Sequence, residues 1–157
     1  MAPLKFARRV ARELAAYRAE PPDVAPEMAL RDGKMDRLLF LVRGPADTPY
    51  FGGEYVLEMR LPPEYPMAPP ELRMLTPSGR FQTDQKICTS FSSFHRESWS
   101  PMYTCSSLVL SLVSFMLDEG GASLGSIQAP VEERRRLAAA SAAFNRSRGL
   151  RRHFDAS

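Results

Sequence analysis

The sequence predicts an α/β protein of the α+β kind, with an N-terminal helix, a four-stranded antiparallel meander, a long irregular segment, a central helix and a C-terminal helix, in one domain over residues 1–157. Three observations carry this. Apolar residues recur at helical spacing at the start of the chain, strand-like runs broken by Gly and Pro turns fill residues 28–75, and helical spacing returns beyond residue 104. A chain of 157 residues is about one domain. Its 44% hydrophobic content is enough for a core, which excludes wholesale disorder.

In the first helix Phe6, Val10, Leu14 and Tyr17 form a stripe facing the body, with Pro3 suited to a first turn and Pro21-Pro22 a stop. Lys5, Arg8, Arg9 and Arg12 fall on the other side. Strands are predicted over residues 29–30, 38–42, 55–61 and 72–75, separated by Asp32-Gly33, Gly44-Pro45 and Gly52-Gly53. In the third, Tyr55, Leu57, Met59 and Leu61 alternate with Val56, Glu58 and Arg60, the pattern of a sheet with one covered face. Residues 61–70 hold five of the fourteen prolines. Proline lacks an amide donor and restrains its predecessor, so this run is a stiff surface loop, either a rigid connector or a binding platform.

Residues 76–102 lack periodicity, and structureless stretches longer than about 12–15 residues in compact domains are usually functional. The next helix starts at Thr104 as N-cap, turns Cys105, Leu108, Val109, Leu112, Phe115 and Met116 inward, and ends at Gly120-Gly121. The last starts at Pro130, with Glu132 and Glu133 in its first turn and Leu137, Ala140 and Phe144 inward.

Charge and cysteine usage exclude several classes. Residues 1–20 hold five basic groups against two acids, and residues 131–157 seven against three, so a net +3 chain has basic ends on an acidic middle. Neither end interleaves aromatic residues with its cations, which disfavours a nucleic-acid binder; acidic protein partners fit better. Two cysteines build no disulfide framework, and no signal-peptide pattern opens the chain, so a reducing cytoplasmic setting is expected. No segment reaches the about 18 uninterrupted apolar residues of a membrane span. Cys88, Cys105, His95 and His153 lack metal-ligand spacing, so no metal is expected. The G-G-A-S-L-G-S run at residues 120–126 follows a helix and has no Lys before its Ser, so it reads as a turn and not a phosphate loop.

Cys88 lies in the irregular segment beside Lys86, where a cation and backbone amides favour thiolate. On the residues alone it reads either as a nucleophile or as an inert buried thiol. Cys105, in register with Leu108 and Leu112, belongs to the core. No protease pattern surrounds Cys88, which argues against a cysteine hydrolase.

In order along the chain, the basic amphipathic helix, the meander, Y-P-x-x-P-P at residues 65–70, a Cys in an irregular segment and W-S-P at residues 99–101 resemble the ubiquitin-conjugating enzymes. Residues 75–81, 94–99 and 124–127 are similar to the J-type subfamily associated with endoplasmic-reticulum quality control. The resemblance covers residues 4–150 and implies a ubiquitin-conjugating fold in which Cys88 carries ubiquitin as a thioester, received from an activating enzyme and passed to substrate lysine or to serine or threonine. It implies no cofactor, since ATP is used by the activating enzyme. The family's His-Pro-Asn motif, which supports the active-site loop or oxyanion, is Thr76-Pro77-Ser78 here. J-type enzymes share the Thr and keep the Asn, so Ser78 is a departure and a supporting role falls to a shorter side chain.

His95 is either the base that deprotonates the attacking group or a surface histidine without a role. By the same resemblance Lys5, Arg8, Arg9 and Arg12 meet the ubiquitin-activating enzyme, and Met67, Pro101 and Met102 meet a RING-type ligase. Trp99 is assigned to packing. J-type enzymes continue into a C-terminal anchor, so the expected location is cytoplasmic, or the cytosolic face of the endoplasmic reticulum if an anchor has been removed. The alternative function is a ubiquitin-binding interaction module impaired in catalysis.

Overall fold

In the computed structural model, which describes residues 4–87, 98–118 and 125–155, helix α1 runs over Leu4–Ala19 and buries the expected stripe of Phe6, Val10, Leu14 and Tyr17. Strands β1 (Glu27–Leu30), β2 (Arg37–Arg43), β3 (Glu54–Arg60) and β4 (Glu71–Met74) pair antiparallel in chain order, the predicted meander. Register follows the pleat, with Phe40 opposite Leu57 and Leu38 opposite Met59. These side chains share one core with α1 and with the central helix α2 (Cys105–Leu117). The Tyr17 ring meets Phe40 edge-on at 5.0 Å, and its hydroxyl donates to the Ala25 carbonyl at 2.5 Å. The tip of α1 is thereby tied to the segment leading into β1.

Thr104 caps α2 as predicted, its hydroxyl accepting from the Ser107 amide while the Ser107 hydroxyl accepts from the Thr104 amide. Glu13 of α1 adds a second cap, accepting the Cys105 amide at 2.9 Å. A carboxylate at a helix N-terminus satisfies an otherwise unpaired donor and complements the helix dipole. Helix α2 ends at Leu117, with Asp118 as its C-cap; Gly120 and Gly121 lie outside the described residues.

The sheet differs from the expectation of one covered face. Val56, Leu39, Leu41 and Ala29, on the side away from α1, form a second buried cluster with Leu75, Leu150 and Phe154. The C-terminal residues cover it through a short helix α4 (Arg152–Asp155) that the sequence reading did not anticipate. Arg151 bonds Glu27 of β1 at 3.4 Å, and Arg152 reaches Asp32 at 3.3 Å, so ion pairs fasten the end of the chain to the first strand and the turn after it.

Helix α3 (Val131–Ser147) forms where predicted, but its inward register is rotated. Ala140 is exposed, Leu137 and Phe144 are half-buried, and the buried positions are Arg134, Ala138, Ser141 and Asn145. The reason is polar. Ser141 Oγ accepts the Glu54 amide at 2.8 Å, Asn145 Nδ2 donates to the Glu54 carbonyl at 2.8 Å, and Asn145 Oδ1 accepts the Thr76 hydroxyl at 2.6 Å. Thr76 Oγ1 in turn accepts the Val56 amide at 2.9 Å. These bonds satisfy backbone groups at the start of β3, which fixes the helix by hydrogen bonds where an alanine-rich face offers little to pack.

Candidate active site

After β4 the chain turns back along that strand. The Asp84 amide donates to the Met74 carbonyl at 2.8 Å and the Ile87 amide to the Leu72 carbonyl at 2.9 Å, with Arg73 and Lys86 bridged between them. Ile87 is buried. The next residue is Cys88; it and His95 lie outside the described residues.

Lys86 Nζ stands 3.3 Å from Glu71 Oε1. Burial tends to raise the Glu71 carboxyl, but hydrogen bonds from Arg73 and Lys86 outweigh it and hold the group below the usual carboxylate range. The Lys86 charge is therefore shared with a carboxylate, which reduces what it offers a neighbouring thiol. Cys105 is sealed in the core, its thiol pushed up to about 12 by burial and by the Glu13 carboxylate.

Ser78 is 0% exposed, and its Oγ accepts the Arg80 amide at 3.1 Å and the Phe81 amide at 3.4 Å. A hydroxyl accepting backbone amides two and three residues ahead holds a turn. Ser78 thus shapes the backbone at the start of the irregular segment. Arg80, buried beside it, was not singled out by sequence. Its guanidinium donates to the carbonyls of Phe115, Met116 and Asp118 at 3.1–3.2 Å and lies 4.7 Å from the Phe115 ring centroid. The last carbonyls of α2 lack intrahelical donors, and a cation there is favourable on both counts.

Helix α1, the proline loop and the turn after Trp99 also meet. Tyr65 is buried against Phe6 and Trp99, and the Trp99 indole donates to the Pro66 carbonyl at 2.8 Å. Trp99 is the packing residue expected. It holds the proline loop and leaves Met67 73% and Met102 86% exposed, with Pro101 half-buried between Trp99 and Met102. A groove of about 510 Å³ separates this loop from α1, with Lys5, Arg8 and Arg12 on one wall and Glu64 and Met67 on the other.

Lys5, Arg8 and Arg12 are exposed, as expected for a basic face. Arg9 differs. With its side chain 16% exposed, it bonds Glu13 at 3.2 Å, donates to the Tyr103 carbonyl at 3.2 Å and lies 5.7 Å from the Tyr65 ring centroid. It ties α1 to both exposed-methionine segments. Nothing local in the sequence distinguishes Arg9 from Arg8, or marks Glu13 as a cap for a helix 92 positions away.

Among the described residues no three His, Cys, Asp or Glu side chains gather to hold a metal ion, and no helix is long and apolar enough to cross a membrane.

The ubiquitin-conjugating enzyme family matches residues 9–134. Over 106 residues, 68% of this chain and 43% of the relative, the sequence is 47% identical to the probable ubiquitin-conjugating enzyme E2 33 of Arabidopsis thaliana. It is 44% identical over 105 residues to ubiquitin-conjugating enzyme E2 J1 of Homo sapiens, covering 67% of this chain and 33% of that protein. To human ubiquitin-conjugating enzyme E2 J2 it is 42% identical over 106 residues, covering 68% and 40%. The matched region spans less than half the length of these curated relatives.

Proposed function

This chain belongs to the ubiquitin-conjugating enzyme family and is J-type-like; from that premise we propose that it carries ubiquitin as a thioester on Cys88 and hands it to an acceptor with a RING-type ligase. One observation carries the assignment to Cys88. Of the two cysteines, Cys105 is buried with a raised thiol, whereas Cys88 directly follows a backbone held at Ile87 by hydrogen bonding to β4.

The chemistry is acyl transfer in two steps. The Cys88 thiolate attacks the thioester carbonyl that joins the ubiquitin C-terminus to the activating enzyme; a new C–S bond forms and the activating enzyme's thiol leaves. An acceptor amine, or a hydroxyl, then attacks the Cys88 thioester, the new C–N or C–O bond forms, and the Cys88 thiolate leaves. The acceptor's proton passes to a base, for which His95 is the candidate. Ser78 supports the reaction by holding the turn at the start of the irregular segment. Lys5, Arg8 and Arg12 supply charge toward the activating enzyme, with Arg9 securing the helix that presents them. Met67, Pro101 and Met102 form the ligase contact, where exposed thioethers adapt to a partner surface. The J-type likeness supports a cytosolic setting for the activity, at the face of the endoplasmic reticulum where a membrane anchor is present.

Incubation with activating enzyme, ATP and ubiquitin tests the assignment. A thiol-sensitive conjugate is expected, lost in Cys88→Ala and kept in Cys105→Ala; its absence from the unsubstituted chain would leave a non-catalytic binding module. Met67→Asp should leave charging intact and weaken ligase-stimulated discharge about tenfold or more, since a charge in the centre of an interface is costly. Discharge onto free lysine compared with free serine and threonine separates the acceptor classes. His95→Ala should slow discharge without slowing charging.

A further inference from the structure

Between the active segment and α3, residues 125–129 lie against two other stretches of backbone. The Gln82 amide donates to the Gly125 carbonyl at 2.8 Å, Phe81 and Ser126 are bridged, the Ile127 amide donates to the Arg80 carbonyl at 2.8 Å, and the Ala129 amide donates to the Gly79 carbonyl at 3.0 Å. Arg80 anchors this pair of strips to the end of α2. On its other side Gly125 touches the residues just ahead of Cys88. A Cβ at Gly125 would sit 2.2 Å from the Lys86 carbonyl oxygen, 3.1 Å from its carbon and 3.3 Å from the Ile87 Cα.

Every one of those neighbours is backbone, so no side-chain rotation relieves the overlap. Ordinary contact distance is about 3.5 Å, so a methyl group there displaces Lys86 or Gly125 by about 1 Å. Gly125 is itself held by Gln82, and Ile87 by Leu72. The displacement therefore falls on Lys86 and strains the Ile87 bond to Leu72, in the two residues that precede Cys88 in sequence.

We propose that Gly125 is a positioning residue for the active segment: the missing side chain lets the strip after α2 bear directly on the Lys86 carbonyl and sets the backbone of Lys86 and Ile87, the two residues that precede Cys88 in sequence. The proposal rests on Cys88 being the thioester residue. Gly125 also has φ +87°, a conformation that costs a side chain about 1 kcal/mol or more wherever it occurs. That second cause has its own control, because Gly52 has φ +84° with nothing within 4 Å of its would-be Cβ.

The test compares Gly125→Ala and Gly52→Ala in the full chain by two readouts. The first is the pH profile of iodoacetamide alkylation at Cys88, followed by mass spectrometry of the Cys88 peptide. The second is the rate of thioester formation with activating enzyme, ATP and ubiquitin. Gly125→Ala should shift the alkylation profile and lower kcat of charging on the order of 10- to 100-fold with KM for the activating enzyme unchanged, because about 1 Å of misplacement at a reacting group has effects of that size. Gly52→Ala should change neither. If Gly125→Ala matches Gly52→Ala in both readouts, the proposal fails while the thioester assignment stands. If the unsubstituted chain alkylates at Cys88 yet is never charged, the thioester assignment fails and the proposal falls with it. Should Gly125→Ala not fold, Arg80→Lys loosens the same strips while keeping the charge. It should slow charging and shift the profile in the same way, and a wild-type profile there overturns the proposal.

Discussion

At the scale of single residues, the buried charges are each matched to particular partners, and Glu58 is the clearest case. Its side chain is 0% exposed in the middle of β3, with Arg31 at 2.6 Å, Arg60 at 2.5 Å and Arg37 at 3.9 Å. Burial alone would raise its carboxyl, but the hydrogen bonds and charges of Arg31 and Arg60 prevail and hold it below the usual carboxylate range. A depressed carboxyl stabilises the fold fully above its unfolded value of about 4.3, and that stability is lost as pH falls through the folded value. Thermal unfolding between pH 7 and pH 2.5 should show the melting temperature of the wild-type chain falling more steeply below about pH 4 than that of Glu58→Gln. At pH 7 the variant should be less stable by about 1–2 kcal/mol, the worth of exchanging charge-assisted for neutral hydrogen bonds. Glu71, also depressed, keeps some acid sensitivity in both chains. Parallel pH curves would remove Glu58 from the account.

At the scale of elements, legibility followed from whether an element is held by apolar contacts at its own period. The stripe of α1 and the Thr104 cap of α2 are local patterns, and both appear where the sequence places them, whereas β3 forms but is buried on both faces. Helix α3 forms in a different register, because Ser141 and Asn145 face inward for hydrogen bonds to Glu54 and Thr76, partners as distant as 91 positions, and Arg134 lies over the Tyr50 ring at 5.9 Å. The same logic hid Glu13, Arg80 and Gly125, whose roles exist only in contacts with remote backbone. Cys88, proposed by contrast with core-bound Cys105 and by its surrounding motifs, lies outside the described residues. If the polar seam is what seats α3, Asn145→Leu should cost about 2–4 kcal/mol, since it strands the Thr76 hydroxyl and the Glu54 carbonyl in a buried place. Leu137→Ala, on a half-buried position of the same helix, should cost less. A denaturant titration that ranks the two the other way round would restore the apolar register.

At the scale of the whole molecule, both faces of the sheet are covered, and the outer side of α1 remains an exposed basic face. Lys5, Arg8 and Arg12 of α1 look outward beside a groove whose far wall carries Glu64 and Met67. The chain's charges are segregated, with basic ends on an acidic middle. Charges on an exposed face act mainly on encounter rate and fade with salt, because the screening length is about 8 Å at physiological ionic strength. If α1 steers the activating enzyme, Arg8→Glu with Arg12→Glu should raise the KM of charging about tenfold or more at low salt and leave kcat and the melting temperature nearly unchanged. The wild-type KM should climb with ionic strength, and that of the variant should climb less. Reversing Arg135 and Arg148 in α3 and at its C-terminal cap alters net charge equally without touching α1. Were that second variant to raise KM as much as the first, net charge and not the α1 face would govern the encounter.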